Sequence, residues 1–148
     1  MPKKIMPTTY LLIALIAIIL LHFFAPIGRI IDSPLNLVGL LLLVPGVALN
    51  LLADRAFKEY NTTVKPFDES NALVTDGVFG LSRHPMYLGF VLVLLGVAVL
   101  LGSISPYPVI LAFVILMDVG FIRMEERMLE VQFPEAWQEY KSQVRRWI

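Results

Sequence analysis

Asn71-Ala-Leu-Val-Thr-Asp-Gly-Val-Phe-Gly-Leu-Ser-Arg-His-Pro-Met-Tyr-Leu-Gly89 leads directly into an apolar stretch that ends near Leu101, and this junction decides how the chain is built. Pro85 suits the first position of a helix, where its missing N–H is no loss, so Arg83 and His84 stand at a helix start. The unpaired backbone N–H groups of such a start attract anions. Arg83 adds a fixed cationic fork and His84 a titratable donor, and Tyr87, three residues on, shares the His84 face. Two readings are open at this point. A ligand bearing phosphate or carboxylate would use all of these groups. Alternatively, Arg, His and Tyr form an interfacial belt at the level of lipid headgroups.

Outward from this stretch the chain is strongly apolar. It has 148 residues, 57% of them hydrophobic and 16% charged, with a mean hydropathy of +0.75. These values imply an integral membrane protein with a single domain over residues 1–148. Twelve basic and twelve acidic residues balance, which argues against a nucleic-acid partner. With no cysteine, disulfides, thiolate metal sites, iron–sulfur clusters and a cysteine nucleophile are excluded. His22 and His84 are too far apart in sequence to suggest a metal pair, so no metal is expected. Lys3 and Lys4 precede an apolar run with no small-residue cleavage site after it, so no cleavable signal peptide is expected.

Four apolar segments predict transmembrane helices at about residues 10–31, 35–52, 86–102 and 108–123. The last two are short for spans and read as a tight hairpin whose helices continue past the hydrocarbon at their charged ends. Gly39 and Gly46, and likewise Gly89 and Gly96, are spaced to share a helix face and allow close helix approach. Lys3, Lys4, Arg55, Lys58, Lys65, Arg83, Arg123, Arg127, Lys141, Arg145 and Arg146 all fall on one side of this arrangement. Only Arg29 lies on the other. The positive-inside rule then makes both termini and the 53–84 loop cytoplasmic, in a multi-pass protein of a prokaryotic-type inner (cytoplasmic) membrane. In the tail, Pro134 opens another helix, and Trp137, Tyr140, Val144 and Ile148 recur at helical spacing. That predicts an amphipathic helix lying on the membrane or capping a site. The expected fold is an all-α membrane bundle of four transmembrane helices with a C-terminal amphipathic helix.

Glu125 and Glu126 emerge on the same side as Arg83 and His84. A carboxylate here could take a cationic group or ribose hydroxyls of a ligand; the alternative is a solvated helix end of mixed charge. The two point about 100° apart around an ideal helix, so where one serves a ligand its neighbour is expected to be neutral. Asp118 lies inside an apolar run, where a charge needs a partner or a function, though it is near enough to the boundary to pair with a basic residue. His22, near the opposite boundary, reads as a core or interfacial histidine.

Leu73-Val74-Thr75-Asp76-Gly77-Val78-Phe79, Arg83-His84-Pro85-Met86-Tyr87-Leu88-Gly89, Glu125-Glu126 and Phe133-Pro134-Glu135-Ala136-Trp137-Gln138-Glu139-Tyr140 stand in register. Together they resemble the isoprenylcysteine carboxyl methyltransferase family, whose wider group includes membrane phospholipid N-methyltransferases. The resemblance covers roughly residues 60–148, with its site blocks at 71–89 and 123–140. It implies an integral membrane enzyme that uses S-adenosylmethionine to methylate a lipophilic acceptor at the cytoplasmic face. It further implies that Asn71, Ala72, Leu73, Val74 and Phe79 surround the adenosine. His84, Pro85, Met86 and Tyr87 would line the methionine end, and Glu125 would take a polar group of the cofactor. Arg83 and Tyr87 would position the reactants; no catalytic residue is identified. Eukaryotic members carry a substrate-side arginine four residues before the position of Glu125, where this chain has Phe121. Arg123 is the nearest candidate for that role. The acceptor is expected to be a lipid or other lipophilic small molecule. Membrane sterol reductases share a similar helix start and would imply NADPH instead, but Met86 and Phe90 depart from their pattern. A non-enzymatic membrane scaffold would leave the ordered polar blocks unexplained.

Overall fold

The computed structural model describes residues 5–62, 68 and 70–148. Lys3, Lys4 and Lys65, used above for topology, lie outside the described residues. The described chain is helical, with one isolated bridge between Arg29 and Ser103. Helix α1 runs Pro7–Phe24, α2 Leu40–Glu59 after a 3-10 turn at Leu35–Gly39, and α3 Pro85–Leu101. Helix α4 (Tyr107–Met117) passes through a π-turn at Asp118–Ile122 into α5 (Arg123–Gln132), and α6 is Pro134–Gln143. Three helical stretches, Pro7–Phe24, Leu35–Glu59 and Tyr107–Gln132, are long and apolar enough to cross a membrane, and Pro85–Leu101 is a shorter apolar helix.

The first helix stops at Phe24 instead of continuing to Ile31. Pro26 restricts Ala25, which adopts φ −142° and ψ 59°, and Gly28 takes a positive φ that no helix contains. The freed segment folds over the α3–α4 turn. Ile30 N donates to Gly102 O (2.8 Å), Ile27 N to Ser105 Oγ (2.8 Å), and Ser105 Oγ to Ala25 O (2.7 Å). His22 Nδ1 meets Ser103 Oγ at 2.8 Å, so this histidine serves the same seal.

The spacing of the four glycines becomes contact between antiparallel α2 and α3. A Cβ on Gly39 would lie 2.5 Å from Gly96 O, and one on Gly46 2.8 Å from Gly89 O. Only hydrogen fits, and the two backbones touch. Around α3, Ile18, Leu94, Met117 and Ile122 are fully buried and join α1, α3 and α4 into one core. A smaller core lies at the other end, where Trp137 and Tyr140 of α6 pack on Ala53, Val74 and Phe79. Tyr140 Oη donates to Phe79 O (2.7 Å), tying α6 to the loop before α3. The apolar side of α6 is thus spent on protein. Val144, at φ −121° and ψ 132°, has left the helix but still packs against this smaller core, whereas Ile148 is exposed.

Candidate active site

The turn Ser82-Arg83-His84 is pinned before α3 begins. His84 N donates to Ser82 Oγ (3.1 Å), while Ser82 Oγ donates to Arg146 O (3.1 Å) and Arg83 N to Arg145 O (3.0 Å). His84 caps α3 and is buried between two carboxylates. Its Nδ1 is 3.5 Å from Glu125 Oε2 and its Nε2 3.3 Å from Glu126 Oε1. Burial alone would push the imidazole pKa down; hydrogen bonds and charge from Glu125 and Glu126 outweigh it, and the net shift is upward. The arrangement therefore favours an imidazolium. Tyr87 Oη, one turn along α3, donates to Glu125 Oε1.

Glu126 is held more tightly still. Arg83 donates to Oε1 through Nη2 (2.8 Å) and Nε (3.2 Å). Arg146 grips both oxygens, Nη2 to Oε2 (2.6 Å) and Nε to Oε1 (3.1 Å), in the forked geometry that strengthens such pairs. The Arg83 side chain is only 8% exposed and that of Glu126 12%. Arg83 also donates to Val144 O (2.8 Å), and its guanidinium lies 5.6 Å from the Trp137 ring. Its fork is engaged within the protein, which suits a positioning role and leaves little for a ligand anion. The interfacial-belt reading of the cluster does not hold, because Arg83, His84 and Tyr87 face protein and not headgroups.

Glu126 is therefore no neutral neighbour of Glu125. The two adjacent glutamates diverge around α5, but the imidazole carries nitrogens on opposite edges, so both reach one ring. The π-turn just before α5 shifts the helical frame and aims this pair. Asp118, at the start of that turn, accepts from Arg123 Nε (2.8 Å) and Arg146 Nη1 (3.3 Å), so the intramembrane acid is paired.

A cavity opens beside this cluster, with about 1030 Å³ of space between atoms, part of it open to solvent. Ala72, Leu73, Val74, Phe79, Arg83, His84, Pro85, Met86, Tyr87 and Glu125 all line it. Asn71 does not. It sits on the rim, where its backbone N–H donates to Thr62 Oγ1 and its amide to Asn61 O (both 3.1 Å), anchoring the loop to the end of α2. Arg123 does not line the cavity either, because its pairing with Asp118 draws it to the outer side of α5. Phe121 is buried against Tyr10 and Tyr87, at centroid distances of 5.7 and 6.4 Å. Sequence reasoning missed Arg146 and Glu126 as network partners, and Met128, Leu129 and Gln132 as cavity wall. The spacing Glu125, Met128, Leu129, Gln132 is one helical face and could have shown that wall. Trp137, Tyr140 and Phe57 close the cavity, and Met6, Pro7 and Thr8 bring the start of α1 to its edge. Chemically the site offers the partly exposed carboxylate of Glu125 deep beside the cluster, largely aromatic, thioether and aliphatic walls, and a polar edge of Thr8, Asp68, Ser70 and Gln132. Every cationic side chain named in its lining is compensated by a glutamate.

Comparison with known proteins places this geometry. A family model described as phospholipid methyltransferase matches residues 35–136. The solved structure of the eukaryotic intramembrane Ras methyltransferase, isoprenylcysteine carboxyl methyltransferase, superimposes with a TM-score of 0.68 at 25% identity, over 95% of this chain and 51% of that one. The cobalt-zinc-cadmium resistance protein CzcN of Cupriavidus metallidurans is 37% identical over 67 residues, 45% of this chain and 31% of that protein. An uncharacterised protein of Haemophilus influenzae is 33% identical over 63 residues, 43% of this chain and its own full length. The chain thus spans about a third of CzcN and about half of the Ras methyltransferase. The family match covers more than half of the chain and agrees with the all-helical membrane fold: the chain belongs to the phospholipid methyltransferase family.

Proposed function

We propose that this protein transfers the methyl group of S-adenosylmethionine to a lipophilic acceptor at the cytoplasmic face of the membrane. The observation that carries the reading is the Tyr87–Glu125–His84–Glu126 cluster at the start of α3, opening on a cavity with largely apolar walls. The residues present fit the cofactor's chemistry. Glu125 suits an ammonium or ribose hydroxyls, Leu73, Val74, Phe79 and Leu129 suit an adenine face, and aromatic rings tolerate a cationic sulfonium. When bound, the cofactor supplies an activated methyl group, so the protein needs neither a metal nor a covalent intermediate. The chain's own task is positioning, the largest lever available for such a transfer. His84 and Tyr87 hold Glu125 in one orientation, Glu126 holds Arg83, and α6 with the 71–80 loop excludes water.

The same reading takes α1, α2, α3 and the α4–α5 unit as four membrane spans of one domain, with both termini cytoplasmic in a prokaryotic-type inner membrane. In it, α6 caps the cofactor. With Phe121 buried and no uncompensated cation in the wall, a free carboxylate is a poor acceptor; an amine, thiol or hydroxyl on a lipid fits better. The resemblance to sterol reductases gains no support from any observation of the site. Incubation of purified protein and membrane lipids with methyl-labelled S-adenosylmethionine tests the proposal. Label is expected in the organic-extractable fraction. Label only in aqueous products, or only on protein carboxylates, contradicts it.

A further inference from the structure

Outside the inner cavity, a second concavity lies on the other side of the Arg83–Glu126 pair. Arg123 and Arg127 of α5, Lys141 of α6 and Arg146 of the tail converge on it, with Glu126, Glu130 and Trp137 completing the wall. Four cations face two carboxylates there. Arg146 and Arg123 have acid partners in Glu126 and Asp118. Lys141 has only a loose, exposed contact with Glu130 at 3.6 Å. Arg127 is exposed and makes no hydrogen bond or ion pair among the described residues. Three separate elements thus deliver an excess of positive charge to one concave surface, which is what an anion requires. Its depth is equally specific. Ile122 ends the apolar run and is fully buried, and Arg123 is the next residue. Arg127 follows one helical turn later on the same side. In the four-span reading the cleft therefore begins where the α4–α5 helix leaves the hydrocarbon, at the level of lipid phosphates.

We propose that this cleft binds the phosphate of an anionic lipid headgroup, as an accessory site separate from the inner cavity. The inference does not rest on the methyl-transfer reading. Trp137 and the Arg83–Glu126 pair stand between the two spaces, so the lipid held here is not the acceptor. Native mass spectrometry of the detergent-solubilised protein tests it, with phosphatidylglycerol and phosphatidylcholine of identical acyl chains. Wild type is expected to retain phosphatidylglycerol at least roughly fivefold more tightly, and Arg127→Gln to lower that preference by a similar factor. Arg127→Gln with Lys141→Gln should lower it further. Arg127 is exposed, so these variants are expected to unfold at the wild-type temperature. Arg55→Gln removes one cation from the same end of the molecule but outside the cleft, and should leave the preference intact. Equal retention of the two lipids by wild type, or full preference in the double variant, overturns the proposal. So does an equal loss in Arg55→Gln, which would mean diffuse attraction. In a third arm with inorganic phosphate alone, retention without any preference between the lipids overturns the lipid assignment in favour of a free anion.

Discussion

His84 is the residue on which the inner site turns, because one buried ring organises two carboxylates that differ in duty. Glu125 is 20% exposed toward the cavity, whereas Glu126 is locked between two arginines. Their substitutions should separate accordingly. Glu125→Gln is expected to weaken S-adenosylmethionine binding roughly tenfold to a hundredfold, the loss of one charge-assisted hydrogen bond, with the unfolding temperature little changed. Glu126→Gln should instead destabilise the fold by about 3 kcal/mol, since it strands the buried Arg83 charge. Thermal unfolding and calorimetry on both variants check this division; a stable Glu126→Gln protein would refute it. His84 supplies a pH signature. Its folded pKa lies above the ordinary value, so its contribution to stability is complete below about pH 6.5 and fades as pH rises through the raised value. The unfolding temperature should fall across that window in wild type, and His84→Gln should remove that part of the dependence. A wild-type profile flat from pH 6 to 9 would contradict the upward shift of the His84 pKa. At this scale the sequence showed Glu125 but hid Glu126, because a 100° step around α5 separates the two carboxylates without revealing that one imidazole, with nitrogens on opposite edges, lies between them.

Between elements, the strongest constraint is backbone contact along α2 and α3. A Cβ on Gly96 would fall 2.7 Å from Leu43 N and 2.8 Å from Gly39 O, atoms that cannot move without parting the helices. Gly96→Val is therefore expected to cost about 1–3 kcal/mol or more as overpacking. Gly80→Ala, where nothing lies within 4 Å, is its silent control in the same melting experiment. Equal melting temperatures for the two would mean that α2 and α3 are not in register as described. The close-packing faces of α2 and α3 were legible from the seven-residue spacing, though not that they meet each other; α3, the α3–α4 hairpin and the continuation of α4 past its charged end were legible too. The end of α1 was not, because apolar composition carries past Pro26 although the backbone cannot. The role of α6 was half legible. Its aromatic spacing showed a buried face, but whether lipid or protein covers that face depends on Phe79 and Ala53, distant in sequence.

For the whole molecule, the charged ends of the helices, the inner cavity and α6 gather at one end, and the 25–31 segment with the α3–α4 turn closes the other. The proposed orientation predicts that single cysteines at Arg29 and at Glu139 label from opposite sides of a sealed membrane, on a background with no native thiol. Glu139 should be reached from the cytoplasmic side; labelling of both positions from one side would contradict the four-span arrangement. The site could be placed from sequence because its four blocks keep their order, whereas Arg146 could not, since only the folded tail brings it to Glu126. The central claim is that the cavity beside His84 is built for S-adenosylmethionine. Titration calorimetry on the detergent-purified protein, with S-adenosylmethionine and NADPH run in parallel, tests it most directly. The account predicts saturable binding of S-adenosylmethionine and none of NADPH. Saturable NADPH binding with no response to S-adenosylmethionine would contradict it.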